Sequence, residues 1–194
     1  MGELRIIAGT WRGRRIRTGR FGEAGTLRPT SDRVRTSLFD RLAPDLPGAR
    51  VLDLFAGTGA LGIEALSRGA EQAVFIDKAP AALQVIRANL EHTRLAERAI
   101  VLRADAFKYL AGPITAPFDL IYVAPPQYHG LWAAALRALD ARPAWLSAEP
   151  GQDSGVAVVQ IHPREYEELP LRALVQYDQR KYGSTLLCFY ELAP

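Results

Sequence analysis

Cysteine occurs once in this chain of 194 residues, at Cys188, so no internal disulfide can form. Set in the apolar run Leu186-Leu187-Cys188-Phe189-Tyr190, its thiol reads as a buried structural group and not as a nucleophile. Histidine is nearly as scarce: His92, His129 and His162 lack metal-ligand spacing, no cysteine cluster accompanies them, and no metal is expected. No serine stands in a nucleophile elbow. No apolar run approaches the roughly 20 residues that cross a bilayer. Met1 to Ile7 alternates and turns basic, unlike the apolar core of a signal peptide. The expectation is a soluble, cytoplasmic protein with no membrane partner. The chain has no internal repeat and no low-complexity segment.

Hydrophobic residues at 48% and charged residues at 23% are ordinary globular values, and the length suits one domain with a substantial core. Net charge is only +3, but residues 1–20 carry six arginines against the single acid Glu3. Such asymmetry fits a polyanion-facing N-terminus. It fits a solvated face equally well, and arginine supplies 21 of the 24 basic residues, which is also what codon bias would give.

Residues 3–8 and 14–18 are short β-like runs separated by Gly9-Thr10-Trp11-Arg12-Gly13, the pattern of a small hairpin. Gly19 to Gly25 reads as a loop, and Arg28-Pro29-Thr30-Ser31 opens a helix with Val34, Leu38, Phe39 and Leu42 on its apolar face. Pro44 and Pro47-Gly48 end it. From Arg50 strands and helices alternate: strand 50–55, helix 59–68, strand 73–77, helix 79–92 with Ala82, Val85, Ile86 and Leu90 inward, strand 100–102, a short helix from Asp105 to Leu110, and strand 118–123. A helix to Leu139, strand 155–160 and two closing strands near 171–179 and 184–191 follow, the last two joined at Tyr182-Gly183. The expected fold is α/β and Rossmann-like: a mostly parallel sheet covered by helices, with an antiparallel C-terminal edge.

In such sheets ligands gather beyond the carboxyl ends of the strands. The first such end carries Asp53 and the turn Gly57-Thr58-Gly59, where glycines let the backbone fold sharply and the next helix aims its N–H groups at a ligand. Asp77, at the end of the second strand, is placed to accept from both ribose hydroxyls of an adenosine ligand. Asp105, after the third, could accept from an adenine amine while the Ala106 N–H donates to the ring. Gly57 to Gly62 also satisfies the dinucleotide pattern G-x-G-x-x-G, but an acid below the turn repels phosphate and suits a cationic ligand such as S-adenosylmethionine. A purely structural alternative has Asp53 capping local backbone and Gly62 permitting close helix packing.

The stretch Leu52 to Ala70 resembles the cofactor motif of the RsmD family, bacterial small-subunit ribosomal RNA guanine-N2 methyltransferases. Arg5-Ile6-Ile7-Ala8-Gly9, Trp11-Arg12-Gly13-Arg14, Arg28-Pro29-Thr30-Ser31-Asp32-Arg33-Val34-Arg35 and Lys181-Tyr182-Gly183-Ser184-Thr185 resemble that family in the same order. The resemblance implies S-adenosylmethionine held by Asp53, Phe55, Gly57, Gly59, Asp77 with its neighbour Lys78, Asp105 and Ala106. It implies 16S rRNA or a 30S particle as partner, met by Arg12, Arg14, Arg15, Arg28, Arg33 and Arg35. The expected division is a basic, RNA-facing extension over 1–48 and a methyltransferase domain over 49–194.

The chain departs from the family at the fourth strand, where an Asp or Asn, two prolines and an aromatic residue are usual. Here the segment is Ala124-Pro125-Pro126-Gln127-Tyr128. The lone pair of an exocyclic amine is delocalised into the base, so acceptors on its hydrogens localise it for attack while an aromatic face holds the flipped base. Ala124 supplies no side-chain acceptor. Three outcomes are compatible with this: the Pro125 carbonyl and Gln127 suffice with Tyr128 stacking one residue late, catalysis is lost and only RNA binding remains, or the target is a different atom that needs no such acceptor; amine methylation of DNA is a separate alternative in which the substrate changes.

Overall fold

The computed structural model describes residues 2–19, 31–148 and 154–194. Arg28, Pro29, Thr30 and all but Gly19 of the expected loop from Gly19 to Gly25 lie outside the described residues. The chain divides into two compact units, Met1–Asp105 and Ala106–Pro194.

In the first unit, β1 (Glu3–Arg5) and β2 (Arg15–Arg17) pair antiparallel, with Leu4 opposite Ile16, as the hairpin pattern predicts. Ser31 caps α1 (Asp32–Leu42) by accepting the Val34 N–H, and Val34, Leu38, Phe39 and Leu42 are buried as expected. β3 (Arg50–Asp53), β4 (Gln72–Asp77) and β5 (Ala99–Arg103) follow in parallel register, in the order β5-β4-β3. The connecting helices are α2 (Ala60–Ser67) and α3 (Pro80–His92). The inward face of α3 carries Leu83 and Asn89 beside Ala82, Ile86 and Leu90, while Val85 is only half-buried. A helix flanked by a second layer takes its buried stripe from the actual crossing direction, which spacing alone leaves one position uncertain.

Gly62 settles one of the alternatives left by the sequence. A Cβ there would stand 2.3 Å from the Phe75 ring, so the residue is glycine because α2 lies directly on β4. Gly62→Ala is expected to cost about 1–3 kcal/mol by overpacking, lowering Tm by on the order of 5 °C in a thermal melt. An unchanged Tm would show that Phe75 moves aside freely.

The second unit comprises α4 (Ala106–Ala111), β6 (Leu120–Val123), α5 (Leu131–Asp140), β7 (Val156–Ile161), β8 (Leu174–Tyr182) and β9 (Thr185–Leu192). Its strand order is β6-β7-β9-β8, with β6 and β7 parallel and the β7–β9 and β8–β9 pairs antiparallel. This is the expected antiparallel C-terminal edge. Tyr182 pairs with Thr185, so the hairpin turns on Gly183-Ser184, where Gly183 has φ 58°. Strand β8 begins at Leu174 because the Asp140 carboxylate, at the end of α5, first gathers the N–H groups of Arg172, Ala173 and Leu174. Cys188 is buried in β9, and burial raises its thiol to about 12, which makes it inert at neutral pH.

Candidate functional site

The glycine turn after β3 is built from backbone conformations that only glycine adopts cheaply. Gly57 has φ 54° and Gly59 has φ 74°, and Gly59 is the N-cap of α2. One oxygen of Asp77 accepts the Gly57 N–H at 2.8 Å and the other accepts the Ala79 N–H at 2.8 Å. The acid at the end of β4 therefore fixes the turn that follows β3. A carboxylate offers about four acceptor sites, so two remain on Asp77 for a ligand.

Asp53, at the end of β3, is 2% exposed. Burial raises its carboxyl from 3.8 to about 7, the Gly62 N–H partly opposes this, and the charge of Asp77 adds to it. A carboxyl in this state is a poor partner for phosphate and a good one for a cation. Phe55 and Asp105 are half-buried, Ala106 is buried, and Lys78 is exposed beside Asp77. Asp53, Phe55, Gly57, Gly59, Asp77 and Asp105 all belong to the first unit, with Ala106 opening the second.

The basic hairpin belongs to that same first unit. Glu64 of α2 is 0% exposed and accepts the N–H groups of Ile7 at 2.8 Å and Ala8 at 3.0 Å, as well as Arg68 Nε at 2.8 Å. Ser67 accepts the Trp11 N–H and donates to the Ala8 carbonyl. Gly9 meets α2 so closely that a Cβ would lie 1.8 Å from the Ser67 carbonyl oxygen. Asn89 of α3 accepts from the Arg17 N–H and donates to the carbonyls of Arg17 and Thr58. One side chain thus ties the hairpin to the glycine turn after β3. Glu64, Ser67 and Asn89 escaped the sequence reading, where the only signal was an acid inside the apolar helix segment Ala60-Leu61-Gly62-Ile63-Glu64-Ala65-Leu66.

Arg12, Arg14, Arg15 and Arg33 are exposed, and the Arg14 guanidinium lies 4.3 Å from the centre of the Trp11 ring. Arg15 forms an exposed ion pair with Glu3, of little energetic consequence. Arg35 runs against the expectation of an RNA contact. It is 1% exposed, and its guanidinium donates to the Arg5 carbonyl at 2.8 Å and to Asp32 at 2.7 Å. It fastens α1 to the hairpin because it shares the buried helix face with Val34 and Leu38.

In the second unit, Ala124 is half-buried and Pro125 buried at the end of β6, while Pro126, Gln127 and Tyr128 are exposed. Tyr128 takes φ 64°, a left-handed conformation uncommon for a bulky residue. Its N–H donates to Glu165 at 2.6 Å, and its ring lies 5.6 Å from that of His162. Among the described residues, no group of acids, histidines and cysteines is arranged to hold a metal ion, and no helix is long and apolar enough to cross a membrane.

Residues 4–191 match the family described as conserved hypothetical protein 95. An rRNA methyltransferase assigned provisionally in Bacillus subtilis, YlbH, is 36% identical over 193 residues, 97% of this chain and 98% of that protein. Ribosomal RNA small subunit methyltransferase D of Escherichia coli is 42% identical over 148 residues, 76% of this chain and 72% of that protein. The solved structure of Escherichia coli yhhF, provisionally a methyltransferase, superposes with a TM-score of 0.82 at 34% identity, covering 98% of both chains. The fold is the Rossmann-like methyltransferase fold, and the chain belongs to the RsmD family.

Proposed function

We propose that this chain is an S-adenosylmethionine-dependent methyltransferase acting on a guanine N2 of small-subunit ribosomal RNA in the cytoplasm. The observation that carries the reading is the buried Asp53 carboxyl beneath a glycine turn pinned by Asp77, in a chain whose relatives bear rRNA methyltransferase names. Those residues fit the group: a buried acid whose carboxyl is pushed up to about 7 even with the Gly62 N–H beside it is relieved by a cation, and the ligand carries an ammonium and a sulfonium. Asp53 serves the ammonium end. Asp77 uses its two remaining acceptor sites on the ribose hydroxyls, flanked by Lys78, and Gly57 and Gly59 permit close approach beside Phe55. Asp105 and the Ala106 N–H serve the adenine edge.

When bound, S-adenosylmethionine would supply a methyl group on a positively charged sulfur, the carbon–sulfur electron pair leaving with the sulfur while the methylated amine loses one hydrogen as a proton to solvent. The chain's own part is to hold the amine and localise its lone pair. Since Ala124 offers no side-chain acceptor, the Pro125 carbonyl and the Gln127 amide oxygen accept from the amine hydrogens, and the Tyr128 ring stacks on the base. Arg12, Arg14, Arg15, Arg33 and Arg28 meet phosphate, with the extension over 1–48 as the RNA-facing part. Replacing Arg12, Arg14 and Arg15 with alanine should weaken rRNA binding and reduce its salt slope by about 2, leaving cofactor affinity unchanged. An unaltered salt slope would assign the three to a solvated face.

The test incubates the full chain with methyl-labelled cofactor and, in parallel, unmodified 30S particles, free small-subunit rRNA and duplex DNA. Label in ribosomal RNA is the expected result. Label in DNA alone would replace the substrate, and no transfer despite retained cofactor and RNA binding would make the chain a silent ribosome-assembly factor, the alternative that Ala124 leaves open.

A further inference from the structure

A tyrosine at φ 64° costs of order 1–3 kcal/mol and persists only where its surroundings over-determine it. The surroundings here are three residues of one segment. Glu165 Oε2 accepts the Tyr128 N–H at 2.6 Å, a short, charge-assisted bond across 37 positions of sequence. The other oxygen of Glu165 accepts the His162 N–H at 3.3 Å, closing a capping box on the turn Pro163–Glu165. His162 Nδ1 accepts the Arg164 N–H at 3.1 Å, which orients the imidazole, and its ring then lies 5.6 Å from the Tyr128 ring at 40°. The outcome is an aromatic pair, Tyr128 63% exposed and His162 half-buried, held by a carboxylate whose two oxygens are both engaged. Apolar packing does not explain a tyrosine so exposed in so costly a conformation.

The geometry points to Glu165 as a positioning residue: it locks Tyr128 in the left-handed conformation so that Tyr128 and His162 form a stacking platform for an unpaired purine base of the RNA substrate. Stacking on an aromatic face tolerates any base, and hydrogen bonding at Gln127 and the Pro125 carbonyl then selects an exposed amine. This rests on the RNA methyltransferase reading above.

A double-mutant cycle on the full chain tests it. Glu165→Ala should lower kcat/KM for rRNA about 10-fold, the factor expected from one stacked base, with S-adenosylhomocysteine affinity unchanged. Glu165→Gln, which keeps a neutral acceptor, should fall between. Glycine adopts φ 64° unaided, so in a Tyr128→Gly background the Glu165→Ala change should add less than about twofold. Loss of the same size in both backgrounds, or a Glu165→Ala enzyme within twofold of wild type, would overturn the inference while leaving the methyltransferase reading intact. If the wild type transfers nothing, that reading fails on its own, and the same cycle is scored on rRNA affinity with S-adenosylhomocysteine bound. There, no Tyr128-dependent effect of Glu165 overturns the inference.

Discussion

Asp53→Asn should make the protein more stable and its cofactor binding worse, in the same tube. Folding takes this carboxyl from 3.8 to about 7, chiefly by burying it. The folded chain therefore keeps a proton that the unfolded chain has released, and stability contributed by the site is fully present below about 3.8 and lost as pH rises through about 7. The gap corresponds to on the order of 4 kcal/mol, which a neutral asparagine of the same shape does not lose. Tm of the variant should exceed that of the wild type at pH 8 and match it near pH 4. Cofactor affinity should move the other way, falling about 10–100-fold at pH 8 with the loss of a charge-assisted bond to the ammonium. Wild-type affinity should also rise between pH 6 and 8, because a cation binds the ionised carboxylate, and the variant should show no such rise. Calorimetric titration with S-adenosylhomocysteine at several pH values reads both. A pH-independent wild-type affinity, equalled by the variant, would remove Asp53 from the cofactor site.

Glu64→Ala should detach the basic hairpin. The substitution leaves the Ile7 and Ala8 N–H groups and the Arg68 guanidinium without their shared carboxylate, which is fully buried. Breaking such a cluster from one side costs about 3–5 kcal/mol. Glu64→Gln should cost less, since it keeps one acceptor oxygen but turns an N–H pair toward donors. Amide exchange at Ile7, Ala8 and Trp11 should accelerate more than at Val51 or Phe75, and rRNA affinity should fall further than cofactor affinity. Unchanged hairpin protection would show that Ser67 and Asn89 suffice to hold it.

Much of this was legible in the sequence wherever one physical cause acts over a short stretch. Glycines at the tightest backbone, alternation in the strands and Ser31 ahead of α1 each announce local structure, and the turn between β3 and α2 follows from them. What was illegible depends on partners far along the chain. Arg35 is one arginine in a basic region until the Arg5 carbonyl, 30 residues away, takes its guanidinium inside. Glu64 is one more letter of the helix segment Ala60-Leu61-Gly62-Ile63-Glu64-Ala65-Leu66 until a hairpin 56 residues upstream needs an acceptor. The left-handed Tyr128 is invisible in Gln127-Tyr128-His129 because Glu165 enforces it. Gly62 shows the converse: a motif position open to a ligand reading is explained by a phenylalanine ring.

Small-subunit rRNA methylated by this protein, digested to nucleosides and resolved by mass spectrometry, should yield N2-methylguanosine as the new product. Methyl on a ring nitrogen, on a ribose or on adenine would contradict the account, since neither the platform at Tyr128 nor the acceptors beside Ala124 would then be addressing an exocyclic guanine amine.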